Sequence, residues 1–192
     1  MRTLVLGGIR SGKSRWAESA LADRVQQSAP ADRVHSSASA GAPAVRYLAT
    51  GGRTPADEEW TRRVAQHRER RPQHWHTVES DAVAAELRDD PHTPTLVDDI
   101  GGWLTATLDR RGWDGRPADG EIDDLVSAVE GFAASLVLVS PEVGLTVVPA
   151  SAAGRRFADD LGTVNQRLAA CCDEVVLVVA GQPLTLKSAR ES

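Results

Sequence analysis

The stretch Leu4-Val5-Leu6-Gly7-Gly8-Ile9-Arg10-Ser11-Gly12-Lys13-Ser14 decides how this chain folds. Gly7, four residues, and then Gly12-Lys13-Ser14 complete the Gly-x-x-x-x-Gly-Lys-Ser pattern of a phosphate-binding loop. The short apolar run before it reads as a buried parallel strand. The sequence after it, from Ser14 to Gln27, is compatible with a helix. The loop needs glycines because backbone N–H groups must close around phosphate oxygens. Gly7, Gly8, Ile9, Arg10, Ser11 and Gly12 are therefore expected to wrap a nucleotide's phosphates. Lys13 is expected to place its ammonium on the β- and γ-phosphates, and Ser14 to offer its hydroxyl to Mg²⁺. The helix N-terminus adds partial positive charge at the same point.

Lysine usage supports this reading. Of the 22 basic residues only Lys13 and Lys187 are lysine. One of the two stands where the loop requires a flexible ammonium, a role that the rigid guanidinium fork of arginine does not fill.

Strand and helix patterns alternate beyond the loop. Apolar runs at Leu4–Leu6, Val45–Ala49, Thr95–Val97, Leu136–Ser140 and Glu174–Ala180 read as buried strands. Helical patterns cover Asp57–Arg71, Ala82–Asp89, Gly102–Arg110, Glu121–Ser135 and Arg155–Ala170. The alternation predicts an α/β fold, a mostly parallel sheet with helices on both faces. The length of 192 residues fits a single nucleotide-binding domain. Residues 28–44, rich in Ser, Ala, Pro and Gly, are expected to form a mobile surface loop, and Arg111–Gly120 a second loop.

The formal net charge of −5 argues against a broad nucleic-acid surface. No apolar run approaches the ~20 residues of a membrane span. The chain enters the phosphate loop at once, so no signal peptide is expected and a cytoplasmic enzyme fits. Cys171 and Cys172 are adjacent and are expected to stay reduced at a helix end.

A second nucleotide signal is Thr95-Leu96-Val97-Asp98-Asp99, an apolar strand ending in acids. In phosphate-loop enzymes such an acid holds Mg²⁺, and Asp98, directly after the apolar run, is the preferred candidate. The bland alternative is a strand-end turn with a helix cap. Asp98 and Gly101 also spell Asp-x-x-Gly, as in GTP switches, but the guanine-reading Asn-Lys-x-Asp element is missing.

Trp60, Val64 and His67 are spaced i, i+4, i+7 and share one helix face. His67 is then either a core histidine bonded to backbone or a nucleophile that carries a nucleotidyl group. Arg68 and Arg71 could offset phosphate charge beside it. His74-Trp75-His76 reads as a half-exposed strand.

These residues together resemble the bifunctional adenosylcobinamide kinase / adenosylcobinamide-phosphate guanylyltransferase family. The resemblance is carried by Gly7–Ser14, by Tyr47-Leu48-Ala49-Thr50 and by the segment from His67 to Glu79. It continues through Glu142-Val143-Gly144 with Val148-Pro149, Arg156-Phe157, and Val164-Asn165-Gln166-Arg167-Leu168-Ala169. The resemblance implies a RecA-like sheet and a two-step enzyme of adenosylcobalamin biosynthesis. The kinase step phosphorylates the aminopropanol hydroxyl of adenosylcobinamide with ATP or GTP. The transferase step passes GMP from GTP, through a guanylyl-histidine, to adenosylcobinamide phosphate. By the same resemblance His67 is the guanylylated residue, and Arg68, Arg71 and Glu79 are expected to contact the nucleotide. The family further implies a homo-oligomer, a trimer or a multiple of one, with sites near subunit contacts.

The chain departs from the family pattern in four places. Residues 28–44 look like an insertion, and Ser151-Ala152-Ala153 replaces a more polar segment. Ser140-Pro141 stands where a polar pair is usual, and Asp99-Ile100-Gly101-Gly102 replaces a Cys/Ser-Leu/Ile-Thr segment. The nearest rival readings are a plain small-molecule kinase and a GTP-dependent switch. Neither needs a covalent histidine. A DNA-stimulated ATPase shares the fold logic but is opposed by the acidic balance.

Overall fold

A computed structural model describes residues 1–28, 44–50, 72, 74–113, 116, 118–145 and 147–189. The helix expected over Asp57–Arg71, and with it His67, Arg68 and Arg71, lies outside the described residues, as does nearly all of 28–44.

The element order is β1 (Arg2–Gly7), α1 (Lys13–Gln27), β2 (Val45–Ala49), β3 (Trp75–Glu79), α2 (Val83–Asp89), β4 (Thr95–Asp98), α3 (Ile100–Arg110), α4 (Asp119–Glu130), β5 (Leu136–Pro141), α5 (Ala152–Cys171), β6 (Glu174–Val179) and β7 (Gln182–Lys187). The seven strands form one sheet in the order β3-β2-β4-β5-β1-β6-β7. All pairings are parallel except β6 with β7.

Strand side chains alternate between two cores, as the two-residue period of a strand demands. Leu4 and Leu6 pack with Leu138, Val97 and residues of α2 through α5. Val5 packs on the other face with Val137, Val139 and the α1 residues Ala17, Leu21 and Val25. With both faces covered, these strands read as unbroken apolar runs rather than polar–apolar alternations. Among the described residues no helix is long and apolar enough to cross a membrane.

Two boundaries differ from the sequence expectation. The last apolar run does not close the sheet, because β7 follows it as an antiparallel hairpin strand. The two-residue turn is Ala180-Gly181, with φ of 50° and 78°, which matches the twist of a tight hairpin. Every residue of β7 is exposed, so no buried run marked it in the sequence. The helix expected over Glu121–Ser135 stops at Glu130, where Gly131 caps it. The His74–His76 segment enters β3, with Trp75 buried and both histidines exposed, as a half-exposed strand should be. Cys171 ends α5, and both cysteines are free thiols.

Gly101 and Pro141, each in a segment expected to depart from the family pattern, meet in space. A Cβ built on Gly101 of α3 would lie 2.9 Å from Cγ of Pro141 at the end of β5. The proline ring thus occupies the space that a side chain at position 101 would need. Gly101→Ala should cost about 1–3 kcal/mol through overpacking. In a Pro141→Ala background most of that cost should vanish, which a double-mutant cycle of chemical denaturation measures.

A tie at the opposite edge of the sheet also has a measurable consequence. Asp173, just before β6, accepts from the Arg2 backbone N–H at 2.7 Å and from its guanidinium at 3.0 Å. The Arg2 hydrogen bond holds the Asp173 carboxyl below its ordinary value. A carboxylate depressed in the folded state stabilises above its unfolded pKa and loses that contribution as pH falls through the folded value. Asp173→Asn should therefore lower Tm at neutral pH, and the gap to the native chain should close as melts are taken toward pH 3.

Candidate nucleotide site

Parallel strands deliver their following loops to one edge of the sheet, where ligands of open α/β folds bind. Here that edge collects the phosphate loop after β1, Thr50 after β2, Asp98 at the end of β4 and Glu142 after β5. Gly7 pairs with Pro141, and Asp98 pairs with Val139, two residues lower on β5. Asp98 is thereby recessed beneath the loop.

The loop has the geometry its sequence demands. Ser11 N–H donates to the Gly8 carbonyl at 3.2 Å, and Trp16 N–H to the Gly12 carbonyl at 3.0 Å, which opens α1. Gly12 has φ of 92°. That left-handed conformation is one a side chain would resist. A Cβ on Gly7 would come within 2.8 Å of the Val178 carbonyl, so the strand-to-loop passage admits only glycine. Gly8 has open space around it, so its side-chain position is unconstrained here. Arg10 also has positive φ, at 57°, and with Ile9 it is exposed at the loop's tip. Lys13 lies half-buried with its ammonium 3.5 Å from the Gly8 carbonyl, folded back along the loop.

Ser14 Oγ donates to Asp98 Oδ1 at 3.3 Å. The two sequence signals, 84 residues apart, thus meet across three strands. Tyr47, the chain's one tyrosine, is buried in β2 and donates its hydroxyl to Asp98 Oδ2 at 2.5 Å. Thr50 ties the adjacent turn, its N–H reaching the Asp98 carbonyl at 3.2 Å and its hydroxyl the Asp99 carbonyl.

The neighbouring acid has a different task. Asp99 Oδ1 accepts from Gly102 N–H at 2.7 Å and caps α3. Burial, and then the adjacent Asp98, push the Asp99 carboxyl up to about 6, against the pull of the Gly102 N–H. The two acids therefore divide, with Asp98 facing the loop serine and Asp99 serving as the helix cap.

Glu79 ends β3 at the same edge of the sheet. It stands four strands from β1, about 19 Å by ordinary strand spacing, so it does not reach the phosphate loop. Glu142 N–H donates to the Gly7 carbonyl at 3.1 Å, and its carboxylate accepts from Gly144 N–H at 2.6 Å. Asn165 of α5 is buried. It accepts from Ser140 Oγ at 2.6 Å and donates to the Pro141 carbonyl at 3.0 Å, clamping the end of β5. Arg167 points the other way, to Asp123 at 2.5 Å. Sequence reasoning did not assign Tyr47 or Asn165 a contact. The available hint was polarity in the wrong place: a phenol inside an apolar strand, and an amide on the buried stripe of a helix.

Cys172 is buried, and its thiol is pushed up by its hydrogen bond with Cys171 and by burial. Among the described residues no group of three His, Cys, Asp or Glu could hold a metal ion by itself.

In Pseudomonas aeruginosa, the bifunctional adenosylcobalamin biosynthesis protein CobP is 39% identical over 190 residues, covering 97% of this chain and 98% of that one. In Salmonella typhimurium, the bifunctional adenosylcobalamin biosynthesis protein CobU is 36% identical, covering 97% of this chain and all of the relative. Among solved structures, the flagellar accessory protein FlaH of Methanocaldococcus jannaschii aligns over 97% of this chain and 78% of that one. Its TM-score is 0.45 at 10% identity. The family model for cobinamide kinase / cobinamide phosphate guanyltransferase matches residues 3–186, from β1 through β7, and the chain belongs to that family.

Proposed function

We propose that the phosphate loop and Asp98 serve both half-reactions of the family: phosphorylation of cobinamide by a nucleoside triphosphate, and transfer of GMP to the resulting phosphate. The observation that carries this reading is the meeting of Ser14 and Asp98 beside Lys13 at the N-terminus of α1.

Ser14 Oγ and Asp98 Oδ1 offer two hard oxygens, 3.3 Å apart, next to where phosphates would lie. That donor set fits Mg²⁺, which takes one or two protein oxygens and completes its shell with phosphate and water. When bound, Mg²⁺ would neutralise charge on the triphosphate oxygens. Tyr47 then acts through Asp98, holding one carboxylate oxygen so that the other stays turned to the loop.

In the kinase step the cobinamide hydroxyl oxygen attacks the γ-phosphorus. The bond from that phosphorus to the β-bridging oxygen breaks, and the hydroxyl proton passes to solvent. Lys13 steadies the charge that builds on the leaving oxygen. In the transferase step a ring nitrogen of His67 attacks the α-phosphorus of GTP and pyrophosphate leaves. An oxygen of cobinamide phosphate then takes the guanylyl group and frees the imidazole. His67 must be unprotonated to attack, and Arg68 and Arg71 would meet the phosphate charge. The resemblance also supports a cytoplasmic homo-oligomer, and a contact of Glu79 with a part of the nucleotide away from the phosphate loop.

Two measurements test the reading. With α-³²P-GTP the native chain should gain an acid-labile, base-stable label. His67→Ala should carry none, while still phosphorylating cobinamide from γ-labelled nucleotide. Lys13→Ala should lose both activities by about 10²–10³-fold. Label that persists in His67→Ala would remove the covalent role of that residue.

Tyr47→Phe deletes one hydroxyl and leaves the packing. It should raise the Mg²⁺ concentration needed for half-maximal activity about tenfold, with the fold unchanged by circular dichroism. An unchanged Mg²⁺ requirement would show that Tyr47 does not act through Asp98.

A further inference from the structure

The sheet face opposite α1 carries a groove of about 650 Å³ between α5, the segment after β5 and the β7 edge. Its walls are apolar and include Leu6, Val148, Val175 and Leu186. Val148 is 73% exposed and Leu186 55% exposed, so this apolar surface faces solvent. The α5 wall is lined by Ala158, Gly162 and Ala169, small residues that leave the groove open. The upper end of the groove is Glu142, whose N–H is bonded to Gly7, the first residue of the phosphate loop.

The groove's charges do not favour a phosphate ligand. Its two cations are already committed to backbone carbonyls: Arg155 to Pro149 and Ala150, and Lys187 to Ala169, Ala170 and Cys172. Asn165 spends both ends of its amide on β5. What remains toward the groove is the amide of Gln166 and the carboxylates of Asp159 and Glu142. Such a surface suits a large, mostly apolar ligand without negative charge, with amides at its rim.

The geometry points to this groove as the seat of the corrinoid acceptor, with the macrocycle against α5 and β7 and the aminopropanol arm running past Glu142 to the phosphate loop. The assignment rests on the kinase reading above and adds the location of its second substrate. Position supports it. The triphosphate is held by the loop and α1 on one face of the sheet, so the acceptor must approach from the side they leave free. The groove opens on that side, and it is too large for a small alcohol. Cobinamide brings the matching chemistry: a broad apolar ring system fringed with carboxamides, and no phosphate before the reaction.

Gly162→Phe tests this directly. A Cβ at Gly162 meets nothing within 4 Å, so the ring would fill the groove and not the core. Leu186→Ser removes one apolar wall at an exposed site as a milder second variant. Steady-state kinetics should show the KM for adenosylcobinamide raised about tenfold or more in Gly162→Phe and severalfold in Leu186→Ser. The KM for GTP and the α-³²P label on the protein should be unchanged, which also reports an intact fold. Equilibrium dialysis, read by the corrin's visible absorption, should show the same loss in affinity. If both variants keep the native KM and affinity, the groove is not the acceptor site, while native turnover leaves the kinase reading standing. If the native chain phosphorylates no cobinamide, the kinase reading fails and this assignment fails with it. A changed mass by light scattering in Gly162→Phe would identify the groove as a contact between copies of the chain and overturn the proposal.

Discussion

The parallel pairing of β1 with β5, and of β5 with β4, is the constraint on which the site depends. It sets Gly7 beside Pro141 and drops Asp98 two residues below, within reach of Ser14. A one-residue slip would send each side chain to the opposite face of the sheet. The register is fixed because both faces are buried: Leu4 and Leu6 belong to one core and Val5 to the other. The chemistry at the edge thus inherits its precision from apolar packing below it.

That edge is tightened by contacts that are themselves uncharged or committed. Asn165 clamps Ser140 and Pro141, Glu142 ties β5 to Gly7, and Gly181 donates to Ser11 from the β6–β7 turn at 2.8 Å. The loop is therefore braced from both neighbouring strands. Pro141 and Gly101 form a further fitted pair.

The two acids at the end of β4 illustrate how position divides chemically identical groups. Asp98 faces Ser14 and Tyr47, while Asp99 turns to the N-terminus of α3. The sequence offered a magnesium ligand and a helix cap as alternatives for this segment. The fold gives the cap to Asp99 and leaves Asp98, one residue earlier, beside Ser14.

The phosphate loop, its strand and helix, the parallel sheet and the candidacy of Asp98 were legible in the residues themselves. Each is a local matter of glycine geometry, apolar periodicity or an acid at a strand end. The family was legible too, because its signatures are spread along the chain in order. The contact of Tyr47 with Asp98 was not, since it depends on which strands become neighbours and in what register. Nor was β7, whose exposed residues leave no buried run to detect, or the end of α4 at Gly131 within an otherwise helical pattern. The groove along α5 belongs to the same class. Small residues on a helix say nothing alone, and only the placement of the β7 edge beside them makes a cavity. Local sequence determined the glycine-rich loop with its strand and helix, whereas tertiary structure decided what surrounds them, because contacts between distant residues are set by packing and register.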